Sequence, residues 1–107
     1  MKRGEVWAVS GSGYAGKPRP AVILQDDSFD ATASVTICVF TMDETEAPLF
    51  RILVDPSDGN GLKAALRLMV DKITTVSRRR LDKRIGHLDA ADVVRLNRSV
   101  LVFLGLA

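Results

Sequence analysis

Lys17-Pro18-Arg19-Pro20-Ala21-Val22-Ile23-Leu24 is the stretch from which the architecture of the chain unfolds. Each proline fixes its own φ and pushes the preceding residue into extended geometry, so Arg19 is held extended at the mouth of a strand. Residues 21–24 form a short continuous apolar run, which predicts a strand buried on both faces. Before it lies Ser10-Gly11-Ser12-Gly13-Tyr14-Ala15-Gly16, a loop with one aromatic. Before that, Glu5-Val6-Trp7-Ala8-Val9 alternates polar and apolar residues as a half-buried strand does. After the acidic turn at 25–30, Val35-Thr36-Ile37-Cys38-Val39-Phe40-Thr41 is rich in β-branched residues and reads as a third, central strand. Residues 49–54 read as a fourth, closed by the turn cluster Asp55-Pro56-Ser57-Asp58-Gly59-Asn60-Gly61. Residues 66–76 look helical at their start, but Val70, Ile73, Thr74, Thr75 and Val76 pull the second half toward strand.

The end of the chain carries a helical signature. Asp89 stands where an N-cap belongs, and Val93, Leu96, Val100 and Phe103 then recur at helical spacing. Gly105 follows as a C-cap glycine. About five strands and a terminal helix give a mainly β, barrel-like fold, and 107 residues suit one domain spanning 1–107. With hydrophobic residues at 47% and charged residues at 26%, the composition is that of a globular chain, not a disordered or fibrous one. The longest apolar run, residues 100–104, is far short of the roughly 20 residues that span a bilayer. Met1-Lys2-Arg3 lacks the apolar stretch that a secretory signal requires. The expectation is a cytoplasmic protein with no membrane association. Cys38 has no second cysteine to pair with, and one histidine with one cysteine does not make a zinc site.

Charge is unevenly placed. Residues 1–62 carry a balance of −4, residues 63–84 a balance of +6, and residues 85–107 none. Such a block is either a local polyanion footprint or a solvated face. Among the side chains capable of chemistry, Cys38 and Trp7 read as core, and His87 as a structural or surface residue. The glycine loop is followed by Pro-Arg-Pro and a strand rather than a helix, which argues against a dinucleotide site. Arg19 is the strongest candidate: its guanidinium fork fits phosphate oxygens, and the flanking prolines lower the cost of ordering it. The alternative is a surface arginine on a proline-blunted edge. Thr41 ends the third strand with its hydroxyl at a sheet rim, or is simply a good strand former. Tyr14, in a loop with little core to join, suits stacking on a base.

Lys2-Arg3-Gly4-Glu5-Val6-Trp7, the glycine-rich loop, the Lys17–Leu24 stretch quoted above, Asp71-Lys72-Ile73-Thr74-Thr75-Val76 and Arg80-Leu81 together resemble the MazF/PemK family of toxin endoribonucleases. The resemblance runs nearly end to end, and the Arg-Gly-Glu-Val-Trp opening joined to Arg-Pro-Ala-Val is its specific part. It implies an SH3-like small barrel of the MazF, Kid and CcdB type, a homodimer, and a type II toxin–antitoxin module. It also implies metal-independent, sequence-specific cleavage of single-stranded RNA, with no cofactor, and neutralisation by a cognate antitoxin. Arg19 and Thr41 match the family's catalytic positions. Ser10, Gly11, Tyr14 and Lys17 match its substrate-covering loop, and Asp71, Lys72 and Thr74 its substrate-contacting turn. Many members carry Glu or Gln in the first loop, and this chain has neither, so no loop carboxylate stands ready as an acid or base. Two rival expectations are a CcdB-like inhibitor of DNA gyrase and a non-catalytic nucleic-acid-binding module.

Overall fold

The computed structural model describes residues 1–11 and 17–107. Seven strands appear among them: β1 (Glu5–Val9), β2 (Arg19–Ile23), β3 (Ser34–Thr41), β4 (Arg51–Val54), β5 (Leu66–Met69), β6 (Thr74–Ser77) and β7 (Leu81–His87). One helix, α1 (Ala90–Phe103), follows. Every pairing is antiparallel, in the order β4-β5-β3-β2-β1-β7, with β6 also on β3. The result is the expected mainly β, SH3-like small barrel with a C-terminal helix.

β3 is central because it has three partners. Its middle pairs with β2 at Ala21↔Val39 and Ile23↔Ile37. Along its other edge, Ser34–Ile37 pairs with β6, while Phe40 and Thr41 pair with β5. Between β5 and β6 the chain steps through a single 3-10 turn, Val70–Lys72, anchored by the Val70 N–H donating to the Phe50 carbonyl at 2.9 Å. The helical start expected at residue 66 is therefore strand. Leu66, Leu68 and Val70 alternate toward the core with Leu68 and Val70 fully buried, and pairing with both β3 and β4 outweighs the local helix preference.

Both faces of the central strands are covered, as the apolar run at 21–24 requires. Val6, Val22, Cys38, Phe40, Ile52, Leu68 and Leu96 belong to one core, and Val9, Ala21, Ile23, Val35, Ile37, Val76 and Leu81 to the other. Cys38 is inaccessible, and burial, with a smaller contribution from the Asp71 charge, pushes its thiol pKa up to about 12. It is a core residue without nucleophilic character. His87 also has a structural setting, with Nδ1 at 2.7 Å from the Leu88 carbonyl.

α1 packs over β4 and the 70–72 turn. Leu96 is fully buried there, Ser99 Oγ donates to the Leu49 carbonyl at 2.6 Å, and Arg95 reaches the Leu53 carbonyl at 2.8 Å. Asp89 occupies the N-cap position but makes no capping bond with its side chain. Gly105, at φ 72°, ends the helix: its N–H donates to Val102 and that of Leu106 to Leu101, the paired bonds of a Schellman stop. No helix among the described residues is long and apolar enough to cross a membrane.

Candidate active site

The strand period decides where Arg19 and Thr41 point. On β3, Val35, Ile37, Val39 and Thr41 share one face, and on β2, Ala21 and Ile23 share it with Arg19. Burial falls along both rows: Val35, Ile37, Ala21 and Ile23 are buried, Val39 and Thr41 half-buried, and Arg19 exposed. Carrying the Ala21↔Val39 register two residues further sets Arg19 opposite Thr41. An apolar face thus finishes, on neighbouring strands, in one guanidinium and one hydroxyl.

Two adjoining clefts meet at this pair. The first, of about 210 Å³, is lined by Arg19, Thr41, Thr74 and Arg80 over an apolar floor that includes Val9, Ile37 and Val76. The second, of about 280 Å³, is lined by Lys17, Arg19, Pro20, Phe40, Thr41 and Met42. Among the described residues, neither lining contains a carboxylate, imidazole or thiol. Its polar chemistry is cationic and hydroxyl, suited to stabilising negative charge. Among the described residues, no group of three or more His, Cys, Asp and Glu side chains is placed to hold a metal ion. Thr41 Oγ1 accepts from the Asp43 N–H at 3.1 Å, which orients the hydroxyl so that its own O–H is available to donate. Asp43 is fixed in turn by Thr45, whose side chain and N–H bond Oδ1 at 2.7 and 2.9 Å and hold the carboxyl below its usual range.

The other expected residues divide. Thr74 and Lys17 line the clefts with the central pair. Ser10 stands at the end of β1, and Gly11 follows as the last described residue before the loop; Tyr14 lies outside the described residues. Asp71 and Lys72 sit in the 3-10 turn and are absent from both linings. Both carboxylate oxygens of Asp71 are taken by Arg51, at 2.7 Å to Nε and 3.0 Å to Nη2. The hydrogen bonds to Arg51 hold the Asp71 carboxyl below its usual range. This fork clamps the turn to β4, which gives Asp71 a positioning role in the structure.

Arg80 was not among the residues expected from sequence. It lines the first cleft, and its Nε donates to the Ser10 carbonyl at 2.6 Å. Its own carbonyl accepts from the Ser10 N–H at 2.8 Å and from Ser10 Oγ at 3.2 Å. The three bonds fasten the end of β1, where the glycine loop departs, to the cleft wall. The signal was the Arg78-Arg79-Arg80 run, but its three members form one 3-10 turn and diverge. Arg78 bonds the carbonyls of Asp30 and Thr32 and the sulfur of Met1, Arg79 is exposed, and only Arg80 turns to the cleft.

Fold and cleft define a small β barrel with a cationic, hydroxyl-bearing site at its strand ends, a class built to hold an anion. The family model for the PemK-like, MazF-like toxins of type II toxin–antitoxin systems matches residues 2–104, and the chain belongs to that family. It is 51% identical to the Mycolicibacterium smegmatis protein named "Probable endoribonuclease MazF", covering 100% of this chain and 99% of that one. It is 27% identical to endoribonuclease MazF9 of Mycobacterium tuberculosis, covering 99% and 98%. Among solved structures, an endoribonuclease in complex with its cognate antitoxin from a mycobacterial species superposes with a TM-score of 0.84 over 100% of this chain and 97% of that one. Its 24% identity makes this a likeness of fold.

Proposed function

We propose that the protein is a toxin endoribonuclease that cleaves single-stranded RNA in sequence-specific fashion, and that Arg19 and Thr41 are its catalytic residues. The observation that carries the assignment is their meeting at the strand ends, where they line both clefts. In the reaction, the 2′-oxygen of one nucleotide attacks the adjacent phosphorus. The 2′-O–P bond forms, the P–O5′ bond breaks, the hydroxyl proton is lost, and the departing 5′-oxygen gains a proton. The products are a 2′,3′-cyclic phosphate and a 5′-hydroxyl. Negative charge accumulates on the non-bridging oxygens as the phosphorus becomes five-coordinate. Arg19 meets that charge with a permanent cation and a planar donor fork, and Thr41 adds a hydroxyl donor. A guanidinium is a charge stabiliser and not a base, so the pair acts without taking the proton.

Around this centre, Lys17, Thr74, Ser10, Gly11 and Tyr14 hold the strand of RNA, and Lys72 attracts it from the turn that Asp71 and Arg51 fix. Met42, 79% exposed beside Thr41, offers an apolar surface to a base. The chemistry needs no cofactor or metal ion. The partners are a cognate antitoxin and a second copy of the chain, and the place of action is the cytoplasm, where cleavage of RNA stops translation and growth. Full-length relatives named as endoribonucleases favour cleavage over gyrase binding or passive nucleic-acid binding.

The dependence on the 2′-hydroxyl provides the test. An oligonucleotide cut by the protein is remade with a single 2′-deoxy residue on the 5′ side of the scissile bond. Binding is expected to persist and cleavage to vanish, because DNA lacks the nucleophile. Cleavage of the deoxy substrate, or products ending in a 5′-phosphate, would overturn the mechanism.

A further inference from the structure

We propose that the RNA path does not end at the cleavage clefts but crosses the strand rim at Pro20 into a third, basic trough, where Lys63 and Lys83 hold backbone phosphates flanking the cut. The proposal rests on the reading of the chain as an RNA-cleaving toxin.

The trough, of about 460 Å³, is lined by Ala8, Pro20, Lys63, Lys83, Arg84 and Ile85, among others. Its shape follows from the register. Pro20, Ala8 and Lys83 lie side by side across β2, β1 and β7. Ala8, the smallest of the three, leaves a depression between its neighbours. Lys63 arrives from the other side, carried past β7 by the turn in which Leu62 is buried. The first and last cations of the basic 63–84 block thereby come together, although they are about twenty residues apart in the chain.

Half of the block's eight cations have other work. Arg67 is paired with Glu46 at 3.2 Å, Arg78 clasps the 30–32 segment, and Arg80 fastens Ser10. In the trough, Arg84 is paired with Glu5 at 3.1 Å. Lys63 and Lys83 are exposed, and neither is in an ion pair among the described residues. Two uncompensated lysines are point charges that attract phosphate without demanding bidentate geometry.

Continuity identifies the occupant. The middle cleft shares Arg19, Phe40 and Thr41 with the first cleft and Pro20 with the trough. A chain with a charge on every residue, already lying over Arg19, meets the lysines by running on in the same direction. Such contacts follow the backbone and ignore base identity, as expected of single-strand binding.

The test uses the full-length protein carrying Lys63→Ala and Lys83→Ala together, both at exposed positions outside the cores. Cleavage kinetics are measured on a short oligonucleotide just spanning the cut site and on versions extended at the 5′ or the 3′ end. For one extended substrate, the double variant is expected to raise KM roughly tenfold with kcat unchanged and to lower the salt slope of its binding by about 1.4. Kinetics on the short substrate stay as in wild type. An unchanged KM on both extended substrates, or an equal rise on short and extended ones, overturns the trough. Weakened binding of an acidic peptide with RNA kinetics unaltered also overturns it, by making the trough a protein site. Anisotropy with an extended 2′-deoxy oligonucleotide separates this proposal from the catalytic one. If wild type cuts nothing, weaker binding by the variant still upholds the trough, and equal binding overturns it.

Discussion

Arg19 and Thr41 differ in how they reach the same cleft, and the difference predicts how each tolerates change. Thr41 is set by β3 and oriented by the Asp43 N–H, so its contribution depends on one oxygen. Thr41→Ser keeps that oxygen and is expected to retain most of kcat, whereas Thr41→Ala removes it and lowers kcat roughly a hundredfold. Equal activity of the two variants would place Thr41 outside the chemistry. Asp71 acts by a different route, through the turn it holds. Its carboxyl is depressed by the Arg51 fork, so the stabilisation is present above the unfolded carboxylate pKa and lost as pH falls through the lower folded value. Asp71→Asn should therefore cost about 1–2 kcal/mol near neutrality, and the gap to wild type should narrow below about pH 4. Urea midpoints measured across that range check the sign.

At the scale of elements, β1, β2, β3 and α1 were readable because local pattern and tertiary role agree in them. Alternation at Glu5–Val9, the apolar run after Pro20 and the β-branched row leading to Thr41 each state one period plainly. β7 was missed because Leu-Asp-Lys-Arg-Ile-Gly-His pairs, among the described residues, only with β1 and skips Ile85 and Asp82 in two register shifts, which breaks the period-2 signal. Those same irregularities set Lys83 opposite Ala8 and Arg84 opposite Trp7. The position of Arg80 was hidden for a related reason: which of three consecutive arginines faces a cleft depends on a 3-10 turn that composition does not encode. Arg19 and Thr41, at the ends of well-patterned strands, were legible by the same logic in reverse.

The reach of β7 toward the 59–61 turn depends on Gly86. A Cβ there would press into the Gly59 carbonyl and the backbone of Asn60, a buried residue whose side chain fixes its own loop through Ser57, Leu62 and Asp55. Gly86→Ala is expected to cost about 2 kcal/mol in denaturant unfolding, since two backbone segments would have to separate. An unchanged midpoint would show that the packing yields more easily than the geometry suggests.

For the whole molecule, the C-terminal helix leaves unfinished business. Leu101, Val102, Phe103, Leu104 and Leu106 are each 42% exposed or more, a contiguous apolar surface that one copy of the chain does not cover. The proposed second copy of the chain is placed there. Leu101→Asp places a charge on that surface without touching the core around Leu96, and sedimentation should show the mass falling from the dimer to the single chain. A mass unaffected by the substitution would move the contact elsewhere on the barrel. The barrel is thus a small scaffold with covered cores and with its candidate cleft at the strand ends.

The most direct test compares wild type with Arg19→Ala on mixed-sequence single-stranded RNA in the presence of EDTA, with both proteins shown to be folded and of equal mass. The account predicts discrete wild-type cuts bearing 2′,3′-cyclic phosphates and 5′-hydroxyls, and none from the variant. Cleavage by Arg19→Ala at the wild-type rate, or a folded wild type that cuts no RNA, would contradict it.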